Sequence, residues 1–357
     1  MKNKILHIVH SSSFNGATVY AYRLCKKLTE YEQEILSCFN GNAFKDIIDS
    51  GVSCKNLLNT KEVSYKNLFF KYWRFINFIR KKNCNIIHYH QGGVGILLLA
   101  YFFKKKAIVV HHLHSGNLIG DNTKQNISIA HLKILKYLSS RTHQIAVGKH
   151  VFDQYHKKIS NSSKCRLIRN STPFVFTKKQ ARNNRIGFIG RFTKEKGFSI
   201  LADISSKLNE LVSDLKIYVM GGESELFNNY FSNSSNNVKL IYPELNTEKI
   251  YRSIDLLLFL SKAPEGMPLV VLEAISFDVG VITYPLPALK EIFGNDYPLF
   301  INNKYEILNI LSSYYKGKID VNKLNYIHKN ICSRFNEDTM LNSIKELYIK
   351  IQDEINL

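Results

Sequence analysis

Two kinds of apolar pattern alternate along the chain. Short apolar runs predict buried strands, and longer stretches with apolar residues three and four positions apart predict amphipathic helices. The predicted strands lie at about 4–9, 34–38, 85–90, 107–112, 143–147, 166–169, 185–190, 215–220, 238–241, 255–260, 280–283 and 298–301. The predicted helices lie at about 16–30, 65–82, 94–103, 126–139, 149–157, 197–211, 223–231, 247–253, 267–277, 287–293, 304–315, 320–333 and 337–354. Strands that alternate with helices in this way predict an α/β protein with parallel sheets.

A break between two halves is predicted at residues 170–182, which are polar and interrupted by Pro173. We therefore expect two Rossmann-like parallel-sheet domains, at residues 1–172 and 183–336. Ligands of such sheets bind beyond the carboxyl ends of the strands. The candidate chemistry should accordingly lie in loops that follow strands.

The composition also indicates the cellular compartment of the protein. At 357 residues, with 45% hydrophobic and 22% charged residues, the chain is that of a globular protein with room for two domains. Its six cysteines form no C-x2-C pair, which argues against a disulfide framework or a zinc knuckle and favours a reducing compartment. The apolar run at 4–9 is too short for a secretory signal, and no stretch reaches the ~18 apolar residues of a membrane span. These features predict a cytoplasmic protein.

Positive charge is concentrated in the first half. Residues 1–180 contain 29 Lys and Arg against 8 Asp and Glu, whereas residues 181–357 contain 20 against 21. Such asymmetry indicates an anionic partner for the first domain, which could be nucleic acid, anionic lipid or an acidic acceptor. No recognisable nucleic-acid-binding motif is present, and we expect no nucleic-acid partner.

Aromatic and basic residues are interleaved in the predicted helix at 65–82. One apolar face does not account for its further aromatic residues, which are Phe69, Phe70, Trp73 and Phe78. A short apolar helix that follows it ends in Lys104, Lys105 and Lys106. Aromatic bodies with basic heads suit a membrane interface. Trp73 and the three lysines are therefore predicted to contact an anionic membrane surface, and the alternative is that both helices simply pack on the first sheet.

The segment Ser261–Ala274 carries the most specific pattern of the chain. Glu265 stands in a Pro/Gly loop, and Glu273 lies eight positions later in the helix that this loop opens. Proline has the φ that suits a first helical turn, and the N–H groups of that turn form an anion site. The residues predicted to form this anion site are Gly266, Met267, Pro268 and Leu269.

A second polar turn follows the predicted strand at 185–190. The strand ends in Gly190, and Arg191 and Lys196 follow, five positions apart, before the next predicted helix. Arginine offers a forked donor and lysine a point charge, which together suit a pyrophosphate. The alternative for this segment taken alone is a solvated basic turn.

These two motifs, in this order, resemble those of retaining GT4-type glycosyltransferases, which have the GT-B fold of two Rossmann-like domains facing each other across a cleft. The resemblance covers most of the chain and is strongest at 185–291. It implies transfer of a sugar, with retention, from a nucleotide diphosphate sugar to a glycan or lipid-linked acceptor, as in bacterial surface polysaccharide biosynthesis, and it implies that the last helix, at about 337–357, packs back on the first domain. Neither a metal nor any other cofactor is expected.

The resemblance also implies roles for single residues. Gly190, Arg191 and Lys196 would bind the donor diphosphate together with the anion site at 266–269. Glu273 would hold the ribose hydroxyls, and Glu265 would lie beside the donor sugar.

The first domain contributes two further elements to the resemblance. The loop Ser11–Ala17 resembles the family's glycine-rich loop, with Gly16 retained and Asn15 in place of the first glycine. Asparagine tolerates a left-handed conformation, which would preserve the turn. The strand that leads to His114 resembles the one whose histidine faces the reacting sugar, so His114 is a candidate catalytic residue.

Histidine is otherwise unusually frequent in the first half, which holds eleven of the twelve, among them His88, His90 and His112. Alternating histidines on a strand point to one face. A metal site there is conceivable, but neither a carboxylate nor a cysteine ligand flanks these histidines, and we predict none.

Two other functions fit parts of the sequence. A GT-B-fold sugar-nucleotide epimerase would share the fold but lacks this combination of Arg-x4-Lys and Glu-x7-Glu. A basic nucleic-acid-binding protein would account for the net charge of +20. The leading prediction is a glycosyltransferase at the inner face of the cytoplasmic membrane, whose donor base, sugar, acceptor and linkage the sequence does not specify.

Overall fold

The structure is a computed structural model that describes residues 3–60, 65–90, 93–104, 106–115, 129–159, 163–180, 184–211, 216–221, 224–231 and 238–356. Its strands are β1 (Lys4–Ser11), β2 (Glu32–Phe39), β3 (Cys54–Leu58), β4 (Ile86–Tyr89), β5 (Ile108–Leu113), β6 (His143–Ala146), β7 (Cys165–Leu167), β8 (Arg185–Ile189), β9 (Lys216–Met220), β10 (Val238–Ile241), β11 (Leu256–Phe259) and β12 (Gly280–Thr283). Its helices are α1 (Gly16–Lys27), α2 (Phe44–Asp49), α3 (Tyr65–Lys81), α4 (Val94–Phe103), α5 (Ile129–Ser139), α6 (Lys149–Lys158), α7 (Phe198–Leu211), α8 (Ser224–Phe231), α9 (Glu248–Ser253), α10 (Leu269–Ser276), α11 (Pro287–Phe293), α12 (Glu306–Tyr315), α13 (Val321–Arg334) and α14 (Glu337–Asn356).

The chain forms two compact units. Unit 1 comprises Met1–Arg169 and Asp338–Leu357, and unit 2 comprises Asn170–Glu337. The last helix, α14, therefore belongs almost entirely to unit 1.

Each unit is built on one parallel sheet. The order is β3-β2-β1-β4-β5-β6-β7 in unit 1 and β10-β9-β8-β11-β12 in unit 2. The predicted parallel α/β architecture is confirmed. In both sheets the strand order reverses beside the first strand, between β1 and β4 in unit 1 and between β8 and β11 in unit 2, and ligands of open α/β sheets bind at such points.

Burial explains the apolar strands. Ile5, Leu6, Ile8 and Val9 of β1 are at most 2% exposed, because helices cover both faces of a parallel sheet. Helix α1 begins where the Asn15 side chain accepts a hydrogen bond from the Thr18 N–H, which satisfies one of the free donors of the first turn.

Three segments differ from the sequence expectation. Strand β3 and helix α2 were not predicted, since both are short and mix polar with apolar residues. The strand predicted at 298–301 is a single bridge between Phe300 and Thr283.

The segment predicted as a linker is attached to unit 2. The Thr177 N–H donates to the Ser276 carbonyl at 2.7 Å, and the Lys179 N–H donates to Asp278. Lys179 Nζ also lies 3.6 Å from a carboxylate oxygen of buried Asp255. Residues 170–180 are thus part of the second unit, and 181–183 lie outside the described residues.

Among the described helices, none has the length and apolar character that crossing a bilayer would need.

Candidate functional site

Two loops of unit 2 follow the neighbouring strands β8 and β11, at the point where the strand order reverses. The first contains Gly190 and the exposed Arg191. Gly221, at the end of β9, packs so tightly here that a Cβ on it would stand 2.3 Å from the Gly190 carbonyl oxygen. This close backbone contact fixes the position from which the Arg191 side chain projects.

Lys196 sits in a short, tightly packed turn. Lys194–Lys196 forms a single 3-10 turn that the Thr193 side chain caps by accepting from the Lys196 N–H. The next residue, Gly197, is left-handed with φ 80°, and a Cβ on it would lie 2.5 Å from Leu260 at the end of β11. Glycine is therefore required both by the backbone angle and by the contact.

These two loops are joined by direct contacts. The Lys262 N–H donates to the Glu195 carbonyl at 2.9 Å. Lys196 Nζ lies 2.5 Å from Glu265 Oε1, and the Ser261 hydroxyl donates to the same oxygen at 2.5 Å. The structure therefore brings Lys196 and Glu265 together, although 69 residues separate them in the sequence.

The loop that carries Glu265 leads into α10, which begins one residue later than Pro268. Pro268 is the residue before the helix, with φ −71° and ψ 117°, so the prediction that it occupies the first helical turn was wrong by one position. The N–H groups of Leu269 and Val270 begin the helix, and first-turn N–H groups have no partner within their own helix. Gly266 and Met267 are buried beneath this turn, where the Asn170 side chain donates to the Met267 carbonyl at 2.7 Å.

Glu273 faces inward from α10 and is only 4% exposed. Its Oε2 accepts hydrogen bonds from the Thr247 hydroxyl at 3.0 Å and the Tyr251 hydroxyl at 2.9 Å. A buried carboxylate needs such donors, because leaving it unpaired is costly. Thr247 and Tyr251 are functional candidates that sequence reasoning missed, since no local pattern ties the start of α9 to α10.

In unit 1, the loop after β1 is held by its neighbours. Asn15 is extended, with φ −131° and ψ 159°, and the left-handed conformation considered for it is not adopted. Its role is instead to cap α1, at whose first position Gly16 is exposed. A Cβ on Gly41 would lie 2.3 Å from Ser13, so this glycine permits the loop to pack against the chain after β2.

Five histidines gather on one face of the unit 1 sheet, and we call them the histidine cluster: His7, His88, His90, His112 and His114. The register explains their meeting, because His7 of β1 pairs with His88 of β4. Alternate residues of β4 and β5 then place the other three on the same face. Ring centroids of His88 and His90 lie 4.2 Å apart, as do those of His112 and His114.

The histidine cluster is electrostatically neutral near pH 7. Burial, partly offset by the hydrogen bond to Gln33, lowers the pKa of His7 to about 4. Burial, reinforced by His111, lowers the pKa of His114 to about 3. Burial and the neighbouring histidines hold the pKa values of the remaining three members well below 6.5.

Tyrosines from two helices complete this region of unit 1. The Tyr20 ring of α1 contacts three members of the cluster edge-on or at a tilt, and the Tyr348 hydroxyl of α14 lies 2.5 Å from His88 Nδ1. Neither tyrosine was singled out from the sequence, since no local pattern ties α1 or α14 to β4 and β5. His114 is the partly exposed member at the end of β5.

Helix α3 exposes three of the four aromatic residues predicted outside its apolar face, and the fourth, Phe78, is half-buried. Phe69, Phe70 and Trp73 are 80%, 46% and 52% exposed, whereas Phe75 and Ile79 are buried. The exposed Phe70 and Trp73 rings stack on each other at 5.7 Å.

A cavity of about 420 Å³ lies near the carboxyl end of α4. It is lined by Arg80, Phe102, Phe103, Lys104 and Lys106. Lys104 Nζ donates to the Lys82 carbonyl, and Lys106 is exposed. Lys105 lies outside the described residues.

Two family models match successive parts of the chain. The model for Glycosyltransferase Family 4 matches residues 14–173, and the model for Glycosyl transferases group 1 matches residues 172–319. Together they take in both loops of unit 2 and most of unit 1. No match was found among curated protein sequences.

Solved structures resemble the chain over nearly its whole length. HepE from Anabaena, solved with UDP and glucose, shares 17% identity at a TM-score of 0.75 and covers 98% of this chain and 100% of its own. The pneumococcal O-GlcNAc transferase GtfA, solved with UDP and GlcNAc, and TarM from S. aureus each share 12% identity at a TM-score of 0.75, covering 98% of this chain and 99% of their own. At such identities the likeness establishes a common fold, which is GT-B.

Proposed function

Because the chain belongs to the GT4-type, group 1 glycosyltransferases of the GT-B fold, we propose that it transfers a sugar from a nucleotide diphosphate sugar to a glycan or lipid-linked acceptor, with retention of configuration. A uridine diphosphate sugar is the first donor to test, since HepE and GtfA were solved with UDP. The acceptor belongs, in this proposal, to a bacterial surface polysaccharide.

The observation that carries the proposal is the contact of Lys196 with Glu265. A nucleotide sugar places its diphosphate and its sugar one bond apart, so the groups that recognise them must be neighbours. Lys196 Nζ and Glu265 Oε1 are 2.5 Å apart, which is the proximity required if the lysine binds the diphosphate and the carboxylate lies beside the sugar.

Charge on the leaving diphosphate grows as the glycosidic bond breaks. Arg191 and Lys196 would neutralise that charge, aided by the first-turn N–H groups of α10, which favour an anion. Preorganised donors of this kind are the largest electrostatic contribution available to such a step. In this assignment the protein's own groups stabilise the charge on the diphosphate, and no metal ion takes part.

Glu273 is assigned to the ribose hydroxyls. Its Oε2 is engaged by Thr247 and Tyr251, so these two residues orient the carboxylate rather than compete for it. In unit 1, His114 would contact the sugar or the acceptor.

Incubation with a panel of nucleotide sugars tests the proposal. We expect one donor to raise the melting temperature and to release its nucleoside diphosphate slowly, and Lys196→Ala to lose both responses. The anomeric configuration of the product, read from its NMR coupling constants, tests retention separately. A folded protein that responds to no nucleotide sugar would refute the proposed activity.

We also propose that unit 1 contacts the anionic inner surface of the cytoplasmic membrane. The exposed aromatic residues of α3 and the cations around the cavity near α4 support this placement. Each basic residue near an anionic surface contributes about 1 kcal/mol, and the attraction decays within a Debye length. Binding should thus be reversible and weakened by salt.

Vesicle sedimentation tests the membrane proposal. The protein should sediment with anionic vesicles at low salt but not with neutral ones, and Trp73, the single tryptophan of the chain, should shift its fluorescence to the blue. Replacing Lys104, Lys105 and Lys106 by Ser should weaken binding. The matched control replaces three exposed lysines of unit 2, Lys207, Lys239 and Lys249, and should not. Equal loss of vesicle binding in both variants would show that the binding is only non-specific charge attraction.

A further inference from the structure

A continuous row of hydrogen bonds runs from Gln33 of β2 through the histidine cluster to His114. His7 Nε2 lies 2.9 Å from Gln33 Oε1, and His7 Nδ1 lies 3.0 Å from His90 Nε2. His90 Nδ1 in turn lies 2.9 Å from His114 Nε2. Each of these rings except the last therefore uses both of its nitrogens within the row.

The direction of the row is set by the amide of Gln33. Its Nε2 donates to the Leu24 carbonyl at 3.2 Å and to the Leu28 carbonyl at 2.7 Å. If the amide were turned over, its oxygen would face two carbonyl oxygens and gain no donor. Gln33 Oε1 must consequently be the atom that faces His7, and an amide oxygen can only accept.

One proton position then follows from another. A neutral imidazole has one donor and one acceptor nitrogen, and burial keeps the pKa values of His7, His90 and His114 low enough for all three to be neutral. His7 must donate from Nε2 to Gln33, so its Nδ1 accepts from His90 Nε2. His90 Nδ1 then accepts from His114 Nε2. The remaining nitrogen of His114, Nδ1, carries a lone pair.

We propose that Gln33, acting through His7 and His90, holds His114 in the Nε2–H tautomer, so that its Nδ1 is an acceptor for a hydroxyl of the bound sugar. The sugar part rests on the proposed function, whereas the tautomer does not. Among the described residues no partner is found for His114 Nδ1. Gln33, His7 and His90 are positioning residues in this proposal, because they act on the sugar only through His114.

A metal ion is the competing explanation for clustered histidines. Two triplets bring one nitrogen of each ring within 4.8 Å of the others, namely His7, His88 and His90, and His90, His112 and His114. Nitrogens bound to one tetrahedral zinc at about 2.0–2.1 Å would be about 3.3 Å apart. The facing nitrogens of His7 and His90 are 3.0 Å apart and those of His90 and His114 are 2.9 Å apart, as in hydrogen bonds. Each close pair also has one donor and one acceptor, which leaves no lone pairs converging on an ion.

The test is direct observation of the ring protons. In a long-range ¹H–¹⁵N spectrum of protein labelled with ¹⁵N-histidine, His114, assigned by loss of its signals in His114→Asn, should show a protonated Nε2 and an unprotonated Nδ1. Gln33→Lys should reverse the row, because an ammonium can still donate to both carbonyls but must also donate to His7. His114 is then expected to carry its proton on Nδ1, and kcat/KM for sugar transfer should fall about tenfold, the loss of one neutral hydrogen bond.

The outcomes separate this proposal from the proposed function. A proton on Nδ1 of His114 in the wild-type protein, or an unchanged spectrum in a folded Gln33→Lys variant, would overturn the tautomer assignment whatever the activity. Stoichiometric Zn²⁺ that shifts the ring nitrogens of His90 and His114 would overturn it in favour of a metal site. A protein with the expected tautomer but no response to any nucleotide sugar would overturn the function and its sugar contact alone.

Discussion

Acid should unfold unit 1 before unit 2, because the histidine cluster is buried in its neutral form. In the unfolded chain His7 takes up a proton near its ordinary pKa of 6.5, whereas in the folded protein its pKa is about 4. Between these two values the unfolded state binds more protons than the folded state, so the free energy of unfolding falls as the pH falls. Above the ordinary pKa this contribution to stability is fully present.

The magnitude for His7 alone follows from the two pKa values. One pKa unit corresponds to about 1.4 kcal/mol. By about pH 4.5 the titration of His7 has therefore lowered the free energy of unfolding by about 2–3 kcal/mol. The other four members of the cluster, whose pKa values are also lowered by burial, add to this loss. A domain is stable by about 5–15 kcal/mol in total, so unit 1 should open at mildly acidic pH. Unit 2 holds one histidine, His328, and has no such cluster among its described residues.

Urea titrations at about pH 7 and about pH 4.5, followed by hydrogen exchange of peptides from each sheet, measure the effect on each unit. We expect protection in β1, β4 and β5 to be lost at lower urea concentration in acid, and protection in β8 and β11 to change less. His7→Asn should be less stable at neutral pH and should show a pH dependence smaller by about 2–3 kcal/mol. His150→Asn, on α6 outside the cluster, is the matched control. Equal acid sensitivity of the two units, or an unchanged pH dependence in His7→Asn, would refute the reasoning.

Three further predictions concern unit 2. Arg191→Ala should lower kcat/KM by about 30- to 1000-fold, which corresponds to about 2–4 kcal/mol of lost transition-state stabilisation. The melting temperature should change little, because the Arg191 side chain is exposed. Near wild-type turnover of the variant would show that Arg191 does not bind the diphosphate. Glu273→Gln should weaken binding of the free nucleotide in calorimetry, whereas Glu265→Gln should lower turnover more than nucleotide affinity, and equal losses of affinity would contradict this division of roles. Gly197→Ala should destabilise unit 2 by more than the matched Gly294→Ala. Both glycines have positive φ, but a Cβ on Gly197 would meet Leu260 whereas a Cβ on Gly294 would meet nothing within 4 Å. Thermal unfolding curves that coincide would show that the contact with Leu260 contributes nothing.

The local patterns of the sequence were sufficient for the order and type of most elements. Apolar periodicity is a property of neighbouring residues, which is why α4, β10, β12 and α11 have the predicted bounds. It failed for β3, whose polar Lys55 and Asn56 interrupt the apolar run. Periodicity also could not distinguish the bridge at Phe300 from a full strand, since pairing depends on where the neighbouring strand runs.

For the candidate site, the sequence determined which residues are chemically suitable, and the tertiary structure decided which of them meet. The loops that hold Arg191 and Glu265 could be located because motifs are local. The partners of Glu273, the histidine cluster and its link to Gln33 could not, because they join residues that are far apart in the chain. Their proximity depends on strand order and register, which place β2, β1, β4 and β5 side by side, and burial between those strands and their covering helices is what keeps the histidines neutral.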